Sequence, residues 1–135
     1  MVILYDRFNM PETIYEVVFA TKQQVIVARA LIDFIKQNDN EVNKTQMSFF
    51  ATTLHDGELH TEIDDPQYRG KKVKLTYNKR QFYDRILTPF KTMGMIDYDM
   101  YKKVYRLSDK FTKDMTRIGL LWTQELKRPA GGFRL

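Results

Sequence analysis

The sequence predicts a single α+β domain, and three observations support this fold class. The chain has 135 residues, which is the length of one ordinary domain with one hydrophobic core. Apolar residues recur at helical spacing in four segments, and a residue able to cap a helix stands before each of them. Short runs rich in Val, Ile, Tyr and Phe, or alternating apolar with polar residues, lie outside these segments and predict strands.

The composition argues against several kinds of functional site and against a membrane or secreted location. The chain contains no cysteine, which excludes disulfides, iron–sulfur clusters, thiolate zinc sites and cysteine nucleophiles. No run approaches the roughly 20 apolar residues of a membrane span. The first residues lack the basic start, apolar run and small-residue cleavage site of a signal peptide. We therefore expect a cytoplasmic protein.

Charge is distributed unevenly along the chain. Residues 1–65 carry 5 Lys/Arg and 11 Asp/Glu, whereas residues 66–135 carry 17 Lys/Arg and 6 Asp/Glu. The net charge of +5 therefore hides an acidic first half and a strongly basic second half. Such asymmetry indicates that the second half contacts a polyanion.

The first 20 residues predict an N-terminal β extension. Two runs, Val2–Phe8 and Thr13–Ala20, are rich in β-branched and aromatic residues, and a turn-forming segment separates them. A hairpin and an extended arm both fit this pattern.

The next two predicted elements are helices. The first helix covers residues 22–37, with Thr21 as its cap and Gln24 three positions later. The second begins near Asn43 and stops before Gly57, a residue suited to the left-handed conformation that ends a helix.

An insert at residues 55–77 follows the second helix. Leu59–Ile63 and Val73–Tyr77 alternate apolar with polar residues, and turn-forming residues lie between them. We predict two short strands joined by a loop.

The third helix is predicted to begin after Asn78 and to end at Gly94. Phe82, Ile86 and Phe90 share one face and are assigned to the core. Pro89 removes a backbone donor and clashes with the preceding turn, so we expect an interruption there.

A tight hairpin and a fourth helix complete the predicted domain, which covers residues 21–128. The hairpin strands are Ile96–Tyr98 and Lys103–Leu107. Ser108 or Asp109 caps a helix running to about Lys127, and residues 129–135 form a flexible tail. The apolar stripe of this helix consists of Phe111, Met115, Ile118, Trp122 and Leu126.

Two segments of the second half resemble a known superfamily. Residues 87–96 (LTPFKTMGMI) look like the end of a winged-helix recognition helix, and residues 104–110 (VYRLSDK) resemble the second wing strand and the following helix cap in MarR- and PadR-like regulators. The resemblance extends loosely over residues 21–128. It implies a winged helix-turn-helix protein that binds DNA and regulates transcription. The usual helix-turn-helix joins its second and third helices by a few residues, whereas here residues 55–77 intervene.

The exposed face of the third helix suits recognition of double-stranded DNA. With Ile86 toward the core, the helical wheel puts polar residues on the opposite side. Arginine forms two hydrogen bonds with guanine, and glutamine does the same with adenine. The predicted base-contacting residues are Arg80, Gln81, Arg85 and Thr88, and Asp84 lies among them.

Other basic and aromatic residues are predicted to contact the DNA backbone. Such phosphate contacts determine affinity and its dependence on salt. The candidates are Lys79, Lys91, Tyr101, Lys102 and Lys103. An ordinary solvated helix face offers the same residue types, so the alternative is a winged-helix module that binds an acidic protein without base recognition.

The last helix is predicted to mediate homodimerisation. Its stripe spans more than four turns, and Met115, Ile118, Trp122 and Leu126 are the candidate contact residues. The alternative is that the stripe packs against the N-terminal extension. We further expect aromatic residues on the helix stripes, including Phe111 and Trp122, to belong to the core.

A metal site and catalysis have little support in the sequence. Residues 55–65 are rich in histidine and carboxylates, yet their spacing does not define a zinc geometry. No nucleophile elbow and no phosphate-binding glycine loop is present. We predict no metal, no cofactor and no enzymatic activity, with a metal-dependent enzyme at residues 55–65 as a third option.

Overall fold

The computed structural model describes residues 6–62 and 72–134 of the chain as a mixed α+β fold. Helices, strands and one π turn follow one another in chain order. They are α1 (Ile14–Val18), α2 (Lys22–Gln37), β1 (Glu41–Asn43), α3 (Lys44–His55), β2 (Leu59–Glu62), β3 (Lys72–Leu75), α4 (Lys79–Phe82), the π turn (Tyr83–Leu87), α5 (Thr88–Thr92), β4 (Ile96–Asp99), β5 (Val104–Leu107) and α6 (Lys110–Lys127). The continuous helical segment from α4 to α5 is called helix 79–92 below.

The strand prediction for residues 13–20 is wrong, because this segment forms the short helix α1. A strand would need a neighbour for its backbone groups, whereas a helical turn bonds locally: the Phe19 N–H donates to the Tyr15 carbonyl at 2.8 Å. The turn packs Tyr15 against α2, where the Arg29 guanidinium lies 5.3 Å from its ring. Residues 1–5 of the other predicted strand lie outside the described residues, and residues 6–8 are not in a strand.

The predictions for α2 and α3 are confirmed. The Thr21 hydroxyl accepts a hydrogen bond from the Gln24 N–H at 3.1 Å. At the start of α3, the Asn43 and Gln46 side chains each accept from the other residue's backbone N–H, which forms a complete capping box. Gly57 has a φ of 70°, as a helix-ending glycine requires.

A three-stranded antiparallel sheet has the order β1-β5-β4. β4 and β5 form the predicted hairpin, with Ile96 opposite Leu107. β1 was not predicted, because its three residues are too few for an alternating pattern. It pairs with the far edge of β5 and buries the Val42 side chain.

The insert contains the two predicted strands. β2 and β3 pair antiparallel, with Leu59 opposite Leu75 and His60 opposite Lys74. The predicted loop between them falls on residues 63–71, which lie outside the described residues.

Helix 79–92 continues through Pro89 without a break, and the predicted interruption is instead a change of helix type in the π turn before it. In a regular helix, Leu87 would lie two turns after Arg80 and on the same exposed side. The wider π turn takes up an extra residue, so that Ile86 and Leu87 are both buried.

The hydrophobic core lies where α1, α2, α3 and helix 79–92 meet the three-stranded sheet. Aromatic rings connect these elements: Phe50 of α3 lies 5.1 Å from Phe34 of α2 and 5.5 Å from Phe82 of helix 79–92. Phe19 meets Phe90 edge to face at 5.1 Å. These contacts fix helix 79–92 by its apolar face and leave its polar face outside.

The predicted last helix is confirmed as α6, but its stripe is exposed. Its first turn is attached to the domain, since the Phe111 N–H donates to the Gly94 carbonyl at 3.1 Å and the Lys110 ammonium lies 3.1 Å from Asp97. Every later residue of the helix is exposed. The core prediction is therefore wrong for Trp122, because α6 extends away from the domain and no described element covers it.

Candidate nucleic-acid interface

The start of helix 79–92 is fixed at two backbone groups. The Asn78 side chain accepts from the Gln81 N–H at 3.0 Å and caps the helix. The imidazole Nδ1 of His55, at the end of α3, accepts from the Lys79 N–H at 3.0 Å. These contacts orient the first exposed residues, Arg80 and Gln81, toward solvent.

The four predicted base-contacting residues all lie on the exposed side of helix 79–92, together with Asp84. They are Arg80, Gln81, Arg85 and Thr88. The Asp84 carboxylate lies 4.0 Å from the Arg80 guanidinium, and both side chains are open to solvent. Such an exposed pair is weak, so Arg80 remains free to change partners. The Thr88 hydroxyl donates to the Tyr83 carbonyl at 2.8 Å, which leaves its oxygen lone pairs available.

The predicted phosphate-binding residues divide into two groups. Lys79 and Lys91 belong to opposite ends of helix 79–92, and each ammonium group has a partner. Lys79 donates to the Thr52 hydroxyl at 2.9 Å, and Lys91 lies 5.6 Å from the centre of the Tyr98 ring. Tyr101, Lys102 and Lys103 lie together in the turn of the β4–β5 hairpin, where all three are exposed.

Asp99 organises the hairpin turn. Its carboxylate accepts from the N–H groups of Tyr101 at 2.9 Å and Lys102 at 3.1 Å, and it lies 3.0 Å from the Arg106 guanidinium. The Lys102 N–H, together with the Tyr101 N–H and the charge of Arg106, lowers the pKa of Asp99. The turn is therefore ordered before any ligand arrives.

A groove between α3 and the hairpin turn was not predicted from the sequence. The Lys44 N–H donates to the Lys103 carbonyl at 3.1 Å and joins the turn to the start of α3. The groove has a volume of about 730 Å³. Its lining consists of Asn43, Lys44, Thr45, Ser48, Phe49, Thr52, Lys102 and Lys103.

The sequence contained a signal for the α3 side of this groove. On the wheel of α3, Thr45, Phe49 and Thr52 lie on the side opposite the buried Phe50 and Leu54. The signal was not recognised, because only the contact with the hairpin makes this face one wall of a groove.

Helix 79–92 is linked to the same groove through Tyr83, which contacts the lining residue Ser48. Burial raises the pKa of the Tyr83 phenol, and its hydrogen bond with the Ser48 side chain acts in the opposite direction. Lys79 contacts Thr52, another groove residue. The groove is thus continuous with the beginning of helix 79–92.

The segment 55–65, which begins at the last residue of α3 and contains both histidines, holds no cluster of three metal-ligating side chains within the part of the chain that the structure describes. Its first histidine, His55, uses Nδ1 for the Lys79 N–H. Asp64 and Asp65 lie outside the described residues.

The predicted dimerisation residues Met115, Ile118, Trp122 and Leu126 are exposed on α6. Together with the half-buried Phe111 they follow spacings of four, three, four and four residues. This stripe is an apolar helix face about four turns long, without a partner among the described residues.

Comparison of this chain with protein families, with curated proteins and with solved structures finds no match. In residues 6–62 and 72–134, no helix has the length and apolar character needed to cross a membrane.

Proposed function

We propose that this chain is a winged-helix protein that binds double-stranded DNA in a sequence-specific manner and regulates transcription as a homodimer. The observation that carries the proposal is the common exposure of Arg80, Gln81, Arg85 and Thr88 along helix 79–92. The order α2, α3, helix 79–92, β4–β5 hairpin and α6 supports the winged-helix architecture. In the sheet, β5 pairs with both β4 and β1, and β1 directly precedes α3.

The polar face of helix 79–92 matches the chemistry of the DNA major groove. That groove admits an α-helix and displays a different donor and acceptor pattern for each base pair. Arg80 and Arg85 supply bidentate donors for guanine, and Gln81 supplies both a donor and an acceptor for adenine. Asp84 holds Arg80 loosely at 4.0 Å and disfavours contact of this face with phosphates.

The hairpin supplies the main backbone contacts in this proposal. Lys102 and Lys103 project from an ordered turn, and the fully exposed Tyr101 packs on sugar. Lys79 and Lys91 exchange their present partners, Thr52 and the Tyr98 ring, for phosphates. The resulting affinity depends strongly on salt, because each phosphate contact releases condensed counterions.

The insert at residues 55–77 does not weaken the proposal, because it leaves the end of α3 next to the start of helix 79–92. The Tyr77 N–H donates to the Leu54 carbonyl at 3.2 Å, and the Lys79 N–H donates to His55. The two helices therefore remain in contact, as a helix-turn-helix unit requires.

A second copy of the chain is the proposed partner of α6. Its stripe is apolar at every position of the repeat, and an apolar stripe is complementary to itself under two-fold symmetry. Exposed apolar faces of this size mark interaction sites. A dimer presents two copies of helix 79–92 and favours half-sites about one turn of DNA apart.

Salt titration of DNA binding tests the proposal. We expect the logarithm of the binding constant for random duplex to fall with the logarithm of salt concentration, with a slope near 0.9 per phosphate contacted. After selection of a preferred sequence, Arg80→Ala with Arg85→Ala should weaken binding to that sequence more than binding to random duplex.

The control substitution is Lys36→Ala, because Lys36 is an exposed cation on α2. Equal losses on both DNAs in the double variant would contradict base recognition. Absence of duplex binding at low salt would favour the alternative, an interaction module for an acidic protein.

A further inference from the structure

The groove between α3 and the hairpin turn is cationic along its length. Lys44 lies on one wall, and Lys102 and Lys103 lie on the other. None of the lining side chains is a carboxylate, and within residues 6–62 and 72–134 these lysines form no salt bridge, although the charge of Lys102 acts on the Asp99 carboxylate of the same turn. Thr45 and Ser48 add hydroxyl groups to the same lining. This combination of cations and neutral donors favours a chain of phosphates.

An aromatic ring lies at the same groove and is not part of the core. Phe49 belongs to the groove lining, and 69% of its surface is exposed. The adjoining turn adds Tyr101, which is 98% exposed. Exposed aromatic rings beside a cationic groove are the arrangement by which proteins stack the bases of single strands.

Lys103 has a strained backbone conformation, which a glycine at the same position would adopt more easily. Its φ of 55° lies in the left-handed region, where glycine and asparagine are favoured. A glycine at this position would form the same turn without the steric cost, but it would remove the charge from the groove. Strain at a residue that also provides charge indicates a functional constraint.

We propose that this groove binds a single strand of nucleic acid, with its phosphates along Lys44, Lys102 and Lys103 and a base stacked on Phe49. A duplex does not satisfy the site in this way, because its bases are stacked on each other and offer no free face to Phe49. The stacking on Phe49 is independent of duplex recognition by helix 79–92, whereas Lys102 and Lys103 contribute to both.

The experiment measures binding of a fluorescently labelled oligothymidylate of about 12 nucleotides and of a duplex to the full chain by anisotropy. We expect Phe49→Ala to weaken binding to the single strand by about 5- to 100-fold and to leave duplex binding unchanged. Phe49→Trp, which keeps an aromatic ring at this position, should bind the single strand about as tightly as the wild type. Phe8→Ala is the matched control, because Phe8 is at least as exposed and lies outside the groove.

Substitutions of the lysines test the backbone part of the proposal. Lys44→Ala should reduce the salt dependence of single-strand binding by about 0.7 in the log–log slope. Lys103→Gly should weaken binding while leaving thermal stability equal or higher, since glycine relieves the positive φ. Far-UV circular dichroism verifies that each variant keeps its fold.

Three results would overturn the proposal. The first is no binding of the single strand at about 50 mM salt. The second is a single-strand affinity that Phe49→Ala leaves at the wild-type value, or that Phe49→Trp loses as well. The third is a loss of duplex binding in Phe49→Ala as large as its loss of single-strand binding. Arg80→Ala with Arg85→Ala separates the two proposals, because that variant should impair duplex binding alone.

Discussion

The imidazole Nδ1 of His55 accepts a hydrogen bond from the Lys79 backbone N–H at 3.0 Å, which joins the last residue of α3 to the first residue of α4. The two residues are 24 positions apart, with the whole β2–β3 insert between them. A free N–H at the first turn of a helix has no partner within that helix. His55 therefore both satisfies this group and fixes the angle at which helix 79–92 begins.

Replacement of His55 by alanine should lower the free energy of unfolding by about 0.5–1.5 kcal/mol, the usual net contribution of one such hydrogen bond. Urea unfolding followed by circular dichroism measures this change. His60→Ala is the control, because His60 is exposed on β2 and has no comparable contact with helix 79–92. Equal stability of His55→Ala and the wild type would show that the contact is energetically neutral.

Replacement of Leu87 by alanine should cost about 2–5 kcal/mol, because the π turn buries this side chain in the core. In a regular helix the same residue would be exposed, and its substitution would change stability by less than about 0.5 kcal/mol. Thermal and urea unfolding distinguish these values. Thr92→Ala, at an exposed position near the end of the same segment, should stay within the smaller range.

Replacement of Ile118 by lysine should convert the proposed dimer to a monomer, since it puts a charge in the middle of the α6 stripe. Leu120→Lys is a closely matched control: the two residues are 56% and 57% exposed, but Leu120 lies about 160° away around the helix. Analytical ultracentrifugation measures the assembly. A wild-type chain that is monomeric at high concentration would contradict the dimer, and equal effects of both variants would contradict the assignment of the stripe.

Acid should loosen the hairpin turn through Asp99. Because its folded-state pKa lies below the usual 3.8, the stabilisation is complete above that value and is lost as pH falls through the folded-state pKa. Asp99→Asn should therefore reduce the loss of stability below about pH 4. A carboxyl NMR titration gives the pKa directly. Asp114→Asn on α6 is the control, and an Asp99 pKa at or above 3.8 would contradict the prediction.

The helices and the hairpins were predictable because their signals are local. Thr21, Asn43 and Asn78 accept hydrogen bonds from backbone groups within the next three residues, so their roles follow from neighbouring sequence alone. Gly57 and Gly94 adopt positive φ because the chain must leave a helix at those points. The exposed face of helix 79–92 followed from the periodicity of the residues opposite it.

Features that depend on distant contacts were not predictable. β1 exists because three residues meet β5 more than 60 positions later. α1 has the composition of a strand, yet it lies against α2, where a helical turn partly buries Tyr15 and Val18 without a strand partner.

The sequence by itself determined the positions of the long helices and of the two hairpins, which residues form their apolar faces, and how charge divides along the chain. Each of these depends on hydrogen bonds and side-chain periodicity within a few residues. Only the tertiary structure decided which apolar faces are covered and which polar residues meet. It buried Leu87, left the α6 stripe open to solvent, and brought Lys44 and Phe49 of α3 beside Lys103. These outcomes depend on contacts between residues far apart in sequence, to which no local pattern corresponds.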